Sequence, residues 1–247
     1  MTNQQKYLLH LADNALILGQ RMGEWCGHGP VLEQDIAMTN IALDLIGQAR
    51  LTYQHIASSL GGDEDEIAFL RKEQEYFNLL LVEQKNGNFA ETIARQFFFD
   101  AFNFYNYHQL TSSNDEHLAA IAVKSLKEVK YHLRYSSEWV VRLGDGTEES
   151  HHKMQEAVDR LWMFTGEMFE PSSYEIALRD TGFISDVTKI KSNWMEKVEQ
   201  VLAKATLTKP EDSWMQTGGK EGNHSENMGF ILSELQYMQH AYPGLKW

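Results

Sequence analysis

Between Pro30 and Pro171 the chain contains no proline, and only Pro210 and Pro243 follow. Proline lacks the amide hydrogen and clashes with the preceding helical turn, so it collects at helix ends. The long gap leaves room for long, unbroken helices, and no segment shows the period-two alternation of a half-buried strand. The apolar residues agree. From Pro30 to the pair Gly61-Gly62, the residues Ile41, Leu45, Ala49, Tyr53, Ile56 and Leu60 recur at three or four positions. This is the spacing of one helix face, with Pro30 in the first turn and the glycines as a stop.

The same periodicity predicts helices over about 5–22, 89–112 and 115–143, the last closed by "GDG". These form two hairpins, joined by "GGDEDEIAFLRKEQEYFNLLLVEQKNGN", which is too long for a turn and is expected to carry a short helix. Further helices are expected near 150–168, 173–180, 186–205 and 226–241, with a Gly-rich loop, "TGGKEGNHSE", before the last. Two helical hairpins with one long crossover are what a ferritin-like four-helix bundle requires. The expected fold is therefore all-α: a single ferritin-like domain over 1–247, with a bundle core at about 5–143 and a helical extension at about 144–247 packed on it.

Composition narrows the function. A chain of 247 residues, 43% apolar and with six Trp, ten Tyr and twelve Phe, can bury a large core without disulfides. Cys26 is the one cysteine, which excludes an internal disulfide and any Cys-based zinc or iron–sulfur site and suits a reducing cytoplasm. The first 25 residues have no basic leader, and Asp13, Asn14, Gln20 and Arg21 interrupt their apolar run, so neither a signal peptide nor a membrane span is expected. A net charge of −13 repels phosphate backbones and anionic headgroups, making nucleic acid and membrane poor partners.

A ferritin-like bundle invites a search for a di-iron site, which takes one Glu from each of two helices and Glu-x-x-His from each of the other two. Three literal matches occur: Glu148 with His151, Glu149 with His152, and Glu221 with His224. The first two lie at a helix N-terminus, where acids favour the dipole, and the third contains Gly222. All three are read as solvated surface. On the fourth helix the inward stripe is Leu118, Ala122, Ser125, Val129, His132, Ser136 and Trp139, so Val129 stands three before His132 where a carboxylate is required. On the second helix Leu45 and Gln48 occupy the corresponding pair of places. Asp44 and Glu128 lie one residue away from those places, rotated about 100° from the ligand face. Asp13 and Asp100 are the acids in mid-helix elsewhere. A two-metal centre from Asp44, Asp100, Glu128 and His132 is the weaker reading. The stronger is a buried polar cluster of Glu128 with His132, with Lys124 or Gln48 as further hydrogen-bond partners. No catalytic or metal-ligating residue is assigned.

Four stretches, "LGQRMGEWCGHGPVLEQDIAMTNIALDLIGQAR", "NLLLVEQKNGNFAETIARQFFFDAF", "KEVKYHLRYS" and "TGGKEGNHSENMGFILSELQYMQHAYPG", together resemble the C-subunit family of the phenylacetyl-CoA epoxidases. These are the multicomponent ring 1,2-monooxygenases of bacterial phenylacetate degradation. The resemblance spans the chain. It implies a ferritin-like, non-catalytic structural subunit that pairs with the A subunit, which carries the di-iron centre, while other oxygenase and reductase components supply electrons. No cofactor is then expected in this chain, and the assembly is expected to be a homodimer or a heterotetramer. The resemblance also implies a share in the phenylacetyl-CoA site through Glu75, Tyr76, Phe77 and Asn78, and through Ile176, Ala177 and Leu178. Arg71, Lys72 and Arg179 stand nearby to meet CoA phosphates. Read without the family, Tyr76, Phe77, Ile176 and Leu178 are core residues.

Two other motifs are set aside. Cys26 near His28 in "EWCGHG" resembles a nucleophile pair, but glycines mark a helix end there, and the cysteine is read as buried and structural. "TGGKEG" lacks the full phosphate-binding pattern and is read as a loop, lying where subunits meet if it has any role.

Overall fold

The structure, a computed structural model, describes residues 1–184 and 186–245. Among these residues there is no strand. The α-helices are α1 (Asn3–Gly23), α2 (Leu32–Leu60), α3 (Glu64–Phe69), α4 (Phe89–Leu110), α5 (Glu116–Gly144), α6 (Glu148–Trp162), α7 (Ser173–Leu178), α8 (Lys191–Lys204), α9 (Glu226–Leu235) and α10 (Tyr237–Ala241). Among the described residues no helix is long and apolar enough to cross a membrane. Residues 1–84 with 218–245 form one compact unit, and residues 85–217 form a second.

In the first unit α1 and α2 make an antiparallel hairpin, with α3, the rest of the crossover and α9–α10 packed around it. Thr2 begins α1 with a reciprocal capping box to Gln5. Helix α2 starts later than Pro30 suggested. Val31 is its N-cap and offers no side-chain bond, while the Asp35 carboxylate reaches back to accept from the Gly29 amide at 3.0 Å. Gly61 ends it in the left-handed region, at φ 75°, a conformation glycine adopts without a Cβ penalty. Its expected inner stripe is buried except for Leu60. The closing helix is divided at Gln236, whose amide donates to the Arg71 carbonyl at 2.8 Å and the Tyr76 hydroxyl at 3.0 Å.

The second unit is built on the α4–α5 hairpin, with α6 and α8 against it. Trp194 of α8 is its aromatic centre. It contacts Phe98, Trp162 and Phe169 and donates its indole N–H to the Phe98 carbonyl at 3.0 Å. Trp139, expected to face inward on α5, is half-buried and packs edge-on against Phe89.

Candidate functional site

After the short 3-10 turn at Glu73–Glu75, the chain leaves Tyr76 in an extended conformation, and residues 76–79 are buried without regular secondary structure. Buried peptide groups need partners, and side chains supply them. The Phe77 amide donates to Asp13 Oδ2 at 2.8 Å, and the Leu79 amide to Asn14 Oδ1 at 2.8 Å. His10 Nδ1 lies 2.6 Å from the Phe77 carbonyl. Because a carbonyl only accepts, that nitrogen carries the proton. Positions 10, 13 and 14 share one face of α1 by the three-and-four rule, so a single helix face reads the backbone of the crossover.

Asp13 is fully buried and also holds Arg71, which bonds both carboxylate oxygens, and accepts from Tyr53 Oη at 2.6 Å. Arg71 further donates to the carbonyls of Ile67 and Glu75, each at 2.6 Å, and lies over the Tyr76 ring at 4.0 Å. Burial discourages charge on the guanidinium, but the Asp13 carboxylate and Tyr53 outweigh it, and its pKa stands above the ordinary value. Burial likewise pushes the Tyr76 hydroxyl up to about 12. Arg71 is thus committed to the interior and is not placed to meet a phosphate, a correction to the sequence reading.

A second clamp closes on the other side. His224 Nε2 donates to the Tyr76 carbonyl at 2.9 Å, and its Nδ1 lies 3.3 Å from Glu83 Oε1; Ser225 Oγ donates to Glu83 Oε2 at 3.1 Å. Both the His224 and Glu83 side chains are fully shielded. The surface assignment of His224 is therefore overturned: its partner is Glu83, remote in sequence, and not the nearby Glu221. Gly222 makes the approach feasible, since a Cβ there would come within 2.4 Å of the Gln74 carbonyl oxygen.

Burial opposes charge on the His224 ring, yet the hydrogen bond and charge of Glu83 prevail and raise its pKa above the ordinary 6.5. Burial raises Glu83 as well. The sign follows for both groups. The imidazole's contribution is complete below its unfolded pKa and is lost as pH rises through the folded value. The carboxyl, bound to its proton more tightly when folded, also costs stability as pH rises above its unfolded value. An NMR titration of His224 is expected to give a pKa above that of free histidine, and a value at or below it would contradict the clamp.

The residues implied by the resemblance are distributed as follows. Glu75 is exposed, and its carboxylate accepts from the Lys72 amide at 2.7 Å. Tyr76, Phe77 and Asn78 are buried. Asn78 donates to the Leu79 carbonyl at 3.2 Å, and its own Oδ1 has no partner among the described residues. In the second unit Ile176 and Ala177 are exposed on α7 while Leu178 is buried. Arg179 is partly exposed and pairs with Asp186 at 3.3 Å.

Within α4 and α5, Asp100 and His132 are both buried and interact electrostatically. Asp100 accepts from Gln96 Nε2 at 2.7 Å and Ser136 Oγ at 2.8 Å. Burial pushes its carboxyl up to about 7, against the pull of His132 and both donors. Val129 and, on α2, Leu45 are wholly buried, and Gln48 nearly so. Asp44 and Glu128 are half-buried, and the charge of Glu128 acts on Tyr107. Lys124, expected beside His132, is exposed. Among the described residues no group of three His, Cys, Asp or Glu is arranged to hold a metal ion.

The remaining motifs also move. His151 Nδ1 bonds the Gly144 carbonyl at 2.6 Å at the end of α5 and is only half-exposed, whereas His152 pairs with Glu156 in solvent. Cys26 is exposed rather than buried, and His28 faces its carbonyl oxygen at 3.2 Å. Lys220 of the "TGGKEG" loop is buried.

Comparison with known proteins identifies a family and a relative. The family model described as phenylacetic acid catabolic protein matches residues 2–247. The chain is also 48% identical, over the full length of both proteins, to the C subunit of the 1,2-phenylacetyl-CoA epoxidase of Escherichia coli (strain K12).

Proposed function

The chain belongs to the phenylacetic acid catabolic protein family, which is ferritin-like, and from that premise we propose that it is a non-catalytic structural subunit of a multicomponent di-iron monooxygenase. The enzyme epoxidises phenylacetyl-CoA in the cytoplasm; this chain pairs with and stabilises the catalytic A subunit, alongside the other oxygenase and reductase components. The observation that carries the reading is the helix interior. Where a di-iron bundle requires carboxylates it has Val129 and Leu45, and Asp100 is already bonded by Gln96 and Ser136. That donor set does not fit two metal ions.

Pairing is supported by α2. Leu32, Ile36, Leu43 and Ile46 are exposed and fall within about 40° of one face at 100° per residue, an apolar stripe suited to a partner helix. Glu75, Tyr76, Phe77 and Asn78, and Ile176, Ala177 and Leu178, contribute to the acyl-CoA site. The unbonded Asn78 Oδ1 supports this role, because a buried acceptor without a partner calls for a donor.

A second reading, a di-metal oxidoreductase using Asp44, Asp100, Glu128 and His132, is favoured only by the proximity of Asp100 and His132. Elemental analysis separates the two. The purified chain is expected to hold well under one metal ion and to turn over phenylacetyl-CoA only with the A subunit. About two ions per chain, lost in His132→Ala, would instead establish the second reading.

A further inference from the structure

Within the second unit lies an open groove of about 660 Å³ walled by α4, α5 and α8. On α5 its wall is Lys127, Lys130, Tyr131 and Arg134, one outward stripe at three- and four-residue spacing. Facing them are Phe104 and Tyr105 of α4 and Lys197 of α8. Among the described residues none of these four cations has a carboxylate within ion-pairing distance, although Glu138 borders the groove. On a chain of net charge −13 this is a local reversal of sign. Burial and the neighbouring Lys204 also lower the Lys197 pKa, as expected of an ammonium lacking a counter-charge.

A second observation points to a ligand. Ser137 lines the groove, is 9% exposed, and its hydroxyl has no hydrogen-bond partner among the described residues. A buried hydroxyl left unbonded calls for an occupant. The volume lies in the range of small-molecule sites, and the run from Lys127 to Ser137 is about 15 Å long, which suits an elongated molecule better than a single phosphate. Cations beside π faces favour an anion that also carries a ring, and Arg134 already lies 5.6 Å over the Tyr131 ring.

We propose that this groove binds a nucleoside polyphosphate, its phosphates met by Lys127, Lys130, Arg134 and Lys197 and its base packed against Tyr105 and Tyr131. That chemistry is shared by free nucleotides and by the nucleotide end of coenzyme A. Calorimetric titration of the full chain with ADP, coenzyme A and inorganic pyrophosphate tests the site. One site per chain is expected, with the ring-bearing ligands at least about tenfold tighter than pyrophosphate.

Comparable affinities for ADP and coenzyme A would identify the nucleotide itself as the ligand; binding of coenzyme A alone would identify the acyl carrier. The double variant Lys130→Glu, Arg134→Glu should abolish binding. Tyr131→Ala should weaken the ring-bearing ligands about tenfold and leave pyrophosphate unchanged. All three positions are exposed, and circular dichroism verifies folding. Equal affinity for pyrophosphate, no binding of any ligand, or coenzyme A binding indifferent to the double variant would overturn the proposal; the last would place that binding elsewhere on the chain. If nucleotides fail to bind and the double variant loses assembly with its partner proteins, the groove docks a protein and the proposal falls.

Discussion

Asp13→Ala is expected to destabilise the chain by about 3–5 kcal/mol, the cost of removing one member of a buried ion pair. The loss is large because Arg71 cannot turn to solvent. Its side chain is only 12% exposed and is fixed by the Ile67 and Glu75 carbonyls. The substitution also removes the acceptor of the Phe77 amide and the Tyr53 hydroxyl, each an unsatisfied buried donor. Urea unfolding monitored by circular dichroism gives the value. The paired variant Asp13→Leu, Arg71→Met should recover much of the loss, since replacing both charges leaves neither stranded. A cost below about 1 kcal/mol, the scale of a surface pair, would show that the pair is not buried as described.

Trp194→Ala is expected to cost a similar amount, about 3–5 kcal/mol. The indole is 1% exposed and touches Phe98, Trp162 and Phe169, so truncation opens a cavity bordered by rings from α4, α6 and the turn after it. Trp194→Phe restores part of the volume but not the hydrogen bond to the Phe98 carbonyl, and should fall between alanine and wild type. If α8 were only loosely attached to the α4–α5 hairpin, both variants would unfold close to wild type in urea.

The helices were legible because they depend on local rules. Proline spacing, the three-and-four apolar period and the glycine stops place both hairpins within a few residues of their observed bounds. Two of the errors, Arg71 and His224, concern residues whose partners lie far along the chain. Arg71 looked available for phosphate because Asp13, its partner, is 58 residues away. Asp13 itself carried a signal, an acid in the apolar middle of α1, which needs a buried cation or donor; the sequence does not say which. His224 looked solvated because it follows Gly222 in a polar loop, while Glu83 is 141 residues away. The assigned positions 75–78 and 176–178 came from resemblance alone, since aromatic and aliphatic runs in a core have no distinguishing period. Ser137 and the α5 cation stripe were within reach of the helical wheel, but only the structure adds the facing wall of α4 and α8.

The Glu83–His224 clamp also sets a timetable. The two residues are 141 positions apart, and a ribosome adding roughly 5–20 residues per second needs about 7–28 s to travel that distance. Until then Glu83 and the Tyr76 carbonyl are without His224, although the whole α1–α2 hairpin has already been made. The crossover therefore passes through a nascent stage in which only the α1–α2 hairpin holds it, and its second fastening arrives after the entire 85–217 unit has been synthesised.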